Sequence, residues 1–323
     1  METDYKNKGL LLLKKGQKGL LHAIFSRFGL FLVLLVVQAL ILLSIFQWFE
    51  EFLPHIFGGT ILFTFIMVVY LLNSRINPTA KITWLIAIML LPVFGVLLFL
   101  YTRSDIGHRA LKARTNQIIS ETKESIPQSG EVMERFKKDD PGAASLAHYI
   151  HRSGCHPVYE NTAVTYFPLG EDKFEEMLRQ LDKAKHFIFM EYFIVDEGMM
   201  WGRILEILAK KAAEGVDVRV MYDGTCEFVL LPRDYPKRLR ALGIKCKVFS
   251  PVSPFISTHY NYRDHRKILV IDGHTAFNGG VNLSDEYINR NVKFGHWKDT
   301  AVMLKGEAVR SFTLMFLQMW GIT

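Results

Sequence analysis

The residues best suited to chemistry lie in one short stretch, where His265 and Lys267 stand two positions apart and Asp272 follows. In a β-strand, His265 and Lys267 project from the same face. That face carries an imidazole able to act as a nucleophile or base beside a positive charge. A reaction at a phosphodiester needs this combination, because it requires both an attacking group and stabilisation of charge on the phosphoryl oxygens.

Asp272 completes the candidate catalytic set, but it falls on the opposite face of a regular strand, where a structural or orienting role is expected. The apolar run 268–271 between the two positions indicates a central, rigid strand. The spacing alone does not decide between a site and a surface pair. His296 and Lys298 repeat it without an aspartate at the corresponding later position, which is Met303.

The residues that follow the strand are candidates for binding a substrate phosphate. Gly279 and Gly280 allow backbone to approach a ligand closely, although a glycine pair is also typical of a simple turn. Asn282 can donate an amide hydrogen to a phosphate oxygen, so Lys267, Gly280 and Asn282 form the candidate phosphate-binding set. No His, Cys or carboxylate cluster has the spacing of metal ligands, and we expect neither a metal nor a cofactor.

The chain from residue 144 onwards must build the element that holds these side chains. It alternates between apolar runs typical of buried strands and segments with apolar residues at helical spacing. The predicted strands are 186–195, 216–222 and 244–249, and the predicted helices are 173–185, 204–214 and 236–242. Strands alternating with helices predict an α/β fold, with a sheet covered by helices on its faces.

The N-terminal third is much more apolar, with apolar segments at 28–48, 56–72 and 82–101. The first segment is uncharged, has the length of about 20 residues that a helix needs to cross a bilayer, and lacks a signal-peptide cleavage site. Residues 28–101 are therefore predicted to form an α-helical membrane anchor. A basic tail over 1–27 precedes it.

Positive charge around these segments predicts their orientation. The basic tail places the N-terminus in the cytoplasm, and basic residues after position 101 place the rest of the chain there too. Three full crossings would instead put that part outside. Pro92 and Gly95 permit a bent third segment that enters and leaves on one face, and we favour this arrangement. The prediction is a multi-pass protein of the cell membrane with a cytoplasmic catalytic domain.

Residues 102–143 are polar and charged, and they predict a helical or flexible linker. The three cysteines form no CxxC pair, which weakly favours a reducing compartment for the C-terminal half. A net charge of +7 suits a polyanionic partner, so both an anionic membrane and nucleic acid are candidates on charge alone.

The stretch that contains His265, Lys267 and Asp272 resembles a known family. His265-x-Lys267-x4-Asp272, followed by Gly279-Gly280-x-Asn282, is similar to the HKD signature of the phospholipase D superfamily. The surrounding run, with Trp297-Lys298-Asp299 after it, resembles bacterial cardiolipin synthases. The resemblance implies a phospholipase D-like mixed sheet flanked by helices, with the motif region at 259–286 inside a first catalytic domain over 144–323.

The resemblance also implies an activity. A phosphatidyl group would pass from one phosphatidylglycerol to another through a phosphatidyl-histidine, giving cardiolipin and releasing glycerol. Lys267 and Asn282 would stand where a metal ion would otherwise act, and Asp299 is a candidate for orienting a histidine. The implied partners are phosphatidylglycerol and an anionic membrane, with no nucleic acid.

Relatives of this kind carry two HKD motifs, whereas this sequence contains one. We therefore expect either a missing second half or a homodimer that shares two copies of His265. Two alternatives stay open: a phospholipase D-type phosphodiesterase or nuclease, and a catalytically incomplete membrane scaffold. The apolar segments argue against the nuclease.

Overall fold

The structure, a computed structural model, describes residues 53–103, 106–154, 156–251, 263–293 and 295–322. The predicted basic tail over 1–27 and the apolar segment 28–48 lie outside these residues. The described residues fall into two units, one up to residue 109 and one from residue 110 onwards.

The described part of the first unit begins with α1 (Leu53–Asn73), α2 (Pro78–Leu90) and α3 (Pro92–Arg103). Asn77 begins α2, since its side-chain oxygen accepts the Thr79 backbone N–H at 2.9 Å and a proline suits the first helical position. Pro92 separates α2 from α3 because it cannot continue the hydrogen-bond ladder. The predicted apolar segment 82–101 is thus divided between two helices.

Gly95 allows α2 and α3 to pack closely, since a Cβ atom there would lie 2.8 Å from the Ala87 carbonyl oxygen. The small core of this unit includes Leu71, Ile88 and Phe99. Among the residues that the structure describes, no helix combines the length and the apolar character needed to cross a membrane.

The predicted linker over 102–143 is largely helical. It contains most of α4 (Ile106–Thr122) and all of α5 (Gly130–Asp139), and α6 (Pro141–Gly154) follows. Ser129 begins α5 by accepting the Val132 backbone N–H at 3.4 Å. Helix caps of this kind are local signals, so the helical alternative for the linker follows from its own sequence.

The second unit contains a seven-stranded mixed sheet with the order β1-β7-β6-β5-β2-β3-β4. Its strands are β1 (Thr162–Phe167), β2 (Phe187–Tyr192), β3 (Asp217–Asp223), β4 (Lys245–Phe249), β5 (Lys267–Ile271), β6 (Thr275–Gly279) and β7 (Ala301–Gly306). β2, β3 and β4 run parallel, and the other neighbours are antiparallel. β5 is therefore central, as its apolar run predicted.

Helices cover both faces of this sheet. α7 (Gly170–Asp182), α8 (Met199–Ala213), the short α9 (Cys226–Val229) and α10 (Tyr235–Ala241) belong to one side, and α11 (Val309–Ile322) packs on the other. Met177 and Trp201 are buried in the larger core, and Phe316 is buried against Ile268 in the smaller one. The predicted α/β fold, with a mixed sheet flanked by helices, is confirmed.

Among the predicted elements, the start of α8 differs most from its predicted position. α8 begins at Met199, five residues before the predicted start, because the Asp285 carboxylate accepts the backbone N–H groups of Met199 at 2.9 Å and Met200 at 2.7 Å. A cap supplied by a residue distant in the sequence leaves no local signal.

Candidate active site

A cavity of about 450 Å³ opens where β5 begins. It is lined by His265, Lys267, Gly279, Gly280, Asn282, Tyr287, Trp297 and Asp299. β5 starts at Lys267, so His265 lies in the segment before the strand rather than inside it as predicted. The two side chains nevertheless line the same cavity. Within the described part of the chain, no three His, Cys, Asp or Glu side chains are grouped to hold a metal ion.

His265 and Lys267 are held together by two interactions. The Lys267 ammonium donates to the His265 backbone carbonyl at 2.7 Å, and the ring of Phe193 lies edge-on to the imidazole with 4.7 Å between centroids. The same ring lies 5.4 Å from the ammonium nitrogen. Burial lowers the pKa of Lys267, and the carboxylates of Asp299 and Asp264 act in the opposite direction. The cavity thus places an exposed imidazole beside a buried amine.

The packing of residues 299–301 explains why positions 279 and 280 are both glycine. Its carboxylate fills the space that a side chain at Gly280 would need, and Gly279, with φ of +147°, lies against the backbone of Thr300 and Ala301. That these glycines let backbone approach a ligand stays a prediction. Both line the cavity, and their close contacts are with β7 and the residues that lead into it. The glycines allow Asp299 to reach the cavity.

Asn282 is 2% exposed and already has protein partners. Its side-chain oxygen accepts the Ile194 backbone N–H at 3.0 Å, and its amide nitrogen donates to the Tyr287 hydroxyl at 2.9 Å. A primary amide has a second hydrogen, which is the one that a phosphate oxygen would accept. The predicted phosphate-binding residue thus also ties the cavity to the segment that follows β2.

Asn289 brings the aromatic wall of the cavity into place. In a left-handed conformation with φ of +53°, it accepts the Trp297 backbone N–H at 2.6 Å and donates to the Trp297 carbonyl at 2.9 Å. It also donates to Glu171 at 2.7 Å, and the Trp297 ring lies 5.2 Å from that of Tyr287. Sequence reasoning did not identify Trp297, Tyr287 or Phe193 as site residues. Aromatic residues next to a predicted site were the available signal.

The residues flanking His265 anchor it from the opposite face of the sheet. Arg266 lies 2.8 Å from a carboxylate oxygen of Glu191 and 3.3 Å from one of Asp264. Burial, then the charge of Asp264, raises the pKa of Glu191 to about 9, although Arg266 opposes this. The backbone N–H of Asp264 donates to Asp223 at 3.1 Å. These contacts limit the freedom of the segment that carries the imidazole.

Asp272 lies in the turn between β5 and β6, away from the residues that line the cavity. Its carboxylate accepts three backbone N–H groups, from Lys185, His186 and Phe187, each at 2.8 Å. The predicted structural role fits this position, whereas a direct catalytic role does not. The correction follows from strand length, because β5 carries Asp272 to the end opposite Lys267.

We predict that Asp272→Asn reduces stability and leaves the catalytic rate nearly unchanged. Burial acts to raise the pKa of Asp272, but the backbone hydrogen bonds outweigh it and lower the pKa. A depressed carboxylate pKa stabilises the fold above the unfolded value of about 3.9, and this contribution is lost as the pH falls through the folded value. Because the carboxylate is partly exposed, the loss at neutral pH should be about 1 kcal/mol.

Urea unfolding at pH 7 and in acid measures this difference. The gap between wild type and Asp272→Asn should close in acid, where both side chains are uncharged. An equal gap at both pH values would contradict the assignment, and so would a large fall in kcat at pH 7.

Comparison with known families ties this geometry to a group of proteins. Residues 177–320 match the family described as cardiolipin synthase, PLD-like domain, and residues 62–103 match the family described as phospholipase D-nuclease N-terminal. The first match contains every residue that lines the cavity. This part of the chain belongs to the cardiolipin synthase, PLD-like domain family. The family resemblance predicted from the HKD residues is thereby confirmed.

The similar curated proteins include a cardiolipin synthase and an uncharacterized protein. A cardiolipin synthase of Alkalihalophilus pseudofirmus is 34% identical, covering 85% of this chain and 54% of that protein. An uncharacterized protein of Streptococcus mutans is 56% identical, covering 79% of this chain and 56% of that protein. Among solved structures, NucT from Helicobacter pylori is similar with a TM-score of 0.40 and 13% identity, over 50% of this chain and 96% of that one. The chain spans about half the length of the curated relatives it matches.

Proposed function

We propose that this chain is a phosphatidyltransferase that joins two phosphatidylglycerol molecules into cardiolipin and releases glycerol. The observation that carries the proposal is one cavity that holds His265, Lys267 and Asp299, inside a segment of the cardiolipin synthase family. A cavity of about 450 Å³ suits a phosphoglycerol headgroup, with the acyl chains remaining outside.

In the first step, an imidazole nitrogen of His265 attacks the phosphorus of one phosphatidylglycerol. A P–N bond forms, the P–O bond to the headgroup glycerol breaks, and the departing glycerol oxygen takes up a proton. Lys267 stabilises the negative charge that builds up on the phosphoryl oxygens. Asp299 lines the same cavity and is suited to orienting the imidazole or its partner.

In the second step, a headgroup hydroxyl of another phosphatidylglycerol attacks the phosphorus. The hydroxyl loses its proton, the P–N bond breaks, and His265 is restored. One phosphodiester replaces another, so the exchange conserves the bond type and needs no nucleotide to drive it.

Both steps need a group that protonates the leaving alkoxide and later deprotonates the incoming hydroxyl. The sequence contains one His-x-Lys-x4-Asp motif. We therefore propose that a second histidine comes either from another copy of this chain in a homodimer or from a second HKD half. We further propose a membrane-bound protein whose catalytic domain faces the cytoplasm, supported by the apolar N-terminal third and the basic residues around it.

The full chain, purified in detergent and added to phosphatidylglycerol vesicles, should form cardiolipin and glycerol in equal amounts. Two further substrates test the rival activities. Phosphatidylcholine vesicles test for the phosphodiesterase, and single- and double-stranded DNA test for the nuclease. Release of phosphatidic acid without cardiolipin would favour the phosphodiesterase alternative, and cleavage of DNA would favour the nuclease.

The same preparation tests the second histidine, since its mass in solution can be measured. An active homodimer fits the proposal, as does an inactive chain that is rescued by a separately expressed second half. A fully active monomer would contradict it.

A further inference from the structure

Lys173 is a buried lysine that the proposed mechanism does not use. It lies in the first turn of α7, is 1% exposed, and shares the buried face of that helix with Phe174, Met177 and Leu181. A lysine at such a position costs stability, because burial removes its charge from water. A lysine is not expected on the buried face of a helix. The groups that surround its ammonium must therefore account for its position.

The Lys173 ammonium group contacts two segments that lie next to the cavity. It donates to the Val281 backbone carbonyl at 3.1 Å and lies 3.4 Å from the Tyr192 hydroxyl. Val281 stands between Gly280 and Asn282, which both line the cavity. Tyr192 pairs with Lys267 in the sheet register. One side chain therefore contacts the cavity floor and the strand next to the proposed phosphate-binding lysine.

Charge links Lys173 to the same site. Burial lowers the pKa of Lys173 to about 7, the Asp299 carboxylate acts to raise it, and Lys267 acts to lower it further. Two groups that line the cavity are thus close enough to influence a side chain that does not line it. A methionine of similar length would fill this space without the desolvation cost, which leaves the hydrogen bond to the floor as the distinctive contribution of the lysine.

We propose that Lys173 is a positioning residue that holds the Gly280–Asn282 backbone, and with it Asp299 and Asn282, in register with His265 and Lys267. The proposal rests on the phosphatidyl transfer described above. It concerns the placement of groups rather than contact with substrate.

Three variants test it in the full chain. Lys173→Met removes the donor while keeping the length, and Lys173→Gln restores a neutral N–H donor. Lys211→Met is the matched control, because Lys211 is also buried but pairs with Glu214 at 3.0 Å on α8. Since small displacements of reacting groups are costly, Lys173→Met should lower kcat by about 10-fold to 100-fold with KM changed by less than about threefold. Lys173→Gln should recover much of that loss, and Lys211→Met should lose little.

Orthovanadate, a phosphate analogue, provides a readout without turnover. The affinity of the protein for vanadate, measured by calorimetry, should fall several-fold in Lys173→Met and should change little in Lys211→Met. If the wild-type chain forms no cardiolipin, either alone or with a separately expressed second half, the proposed function fails, while this binding comparison still decides the role of Lys173. Wild-type kcat and vanadate affinity in a folded Lys173→Met chain would overturn the proposal. So would equal losses in Lys211→Met, no recovery in Lys173→Gln, or failure of Lys173→Met to fold, which would make the residue purely structural.

Discussion

His265→Asn abolishes cardiolipin formation, with an expected fall in kcat of about 10⁴-fold or more, as for the loss of other nucleophiles. Asparagine keeps a polar side chain of similar size, but it has no nitrogen able to form the phosphatidyl intermediate. The side chain is exposed at the cavity mouth, so thermal stability should change little. The measurement is cardiolipin produced from phosphatidylglycerol vesicles by folded wild-type and variant chains.

The matched control is His274→Asn, which makes the same substitution at an exposed histidine in the turn between β5 and β6. It should retain nearly full activity. A covalent phosphatidyl adduct, trapped by rapid acid quenching, should form in the wild type and in His274→Asn but not in His265→Asn. Near-normal cardiolipin formation by His265→Asn would mean that this motif does not carry the chemistry.

Lys267→Ala has the second-largest expected effect, a fall in kcat of about 10²-fold to 10³-fold, comparable to removing a preorganised charge-stabilising donor. The ammonium donates to the His265 backbone carbonyl at 2.7 Å, and its burial strengthens its effect on a phosphoryl oxygen. Vanadate affinity should fall together with kcat. The imidazole remains in place, so some phosphatidyl adduct should still accumulate slowly.

Lys298→Ala controls for the spacing itself, since His296 and Lys298 repeat the His-x-Lys pattern on an exposed segment. Its activity should match that of the wild type at moderate ionic strength. An equal loss in both variants would indicate a general electrostatic effect on the membrane surface instead of a role for Lys267 in the cavity.

The fold could be predicted from the sequence wherever one segment determines its own structure. The run 268–271 is apolar throughout because β5 is covered on both faces, and 216–222 differs from β3 by a single residue at each end. The start of α8 could not be predicted, because Asp285 caps it from a distant part of the chain. Strand order also depends on contacts between distant residues.

The candidate site could be predicted where a side chain reaches the cavity from the strand or loop that carries the motif. The cavity is lined by residues proposed from the motif or from the family resemblance, namely His265, Lys267, Gly280, Asn282 and Asp299. The reason for Gly280 was not predictable, since it depends on Asp299 packing against it. Lys173 was missed for a related reason. A lysine at helical spacing gives no sign that its ammonium group reaches the carbonyl of a residue on another element.

The carboxylates of Asp272 and Asp285 have a consequence for the order in which the domain is completed during synthesis. They bind backbone N–H groups of residues 185–187 and 199–200, which precede them by 85 to 87 residues. At about 5 to 20 residues per second, the ribosome releases β2 and α8 several seconds before it releases Asp285. During that interval the start of α8 and the approach to β2 lack their caps. The stretch of chain that supplies these two caps therefore also supplies residues that line the cavity, from His265 to Tyr287.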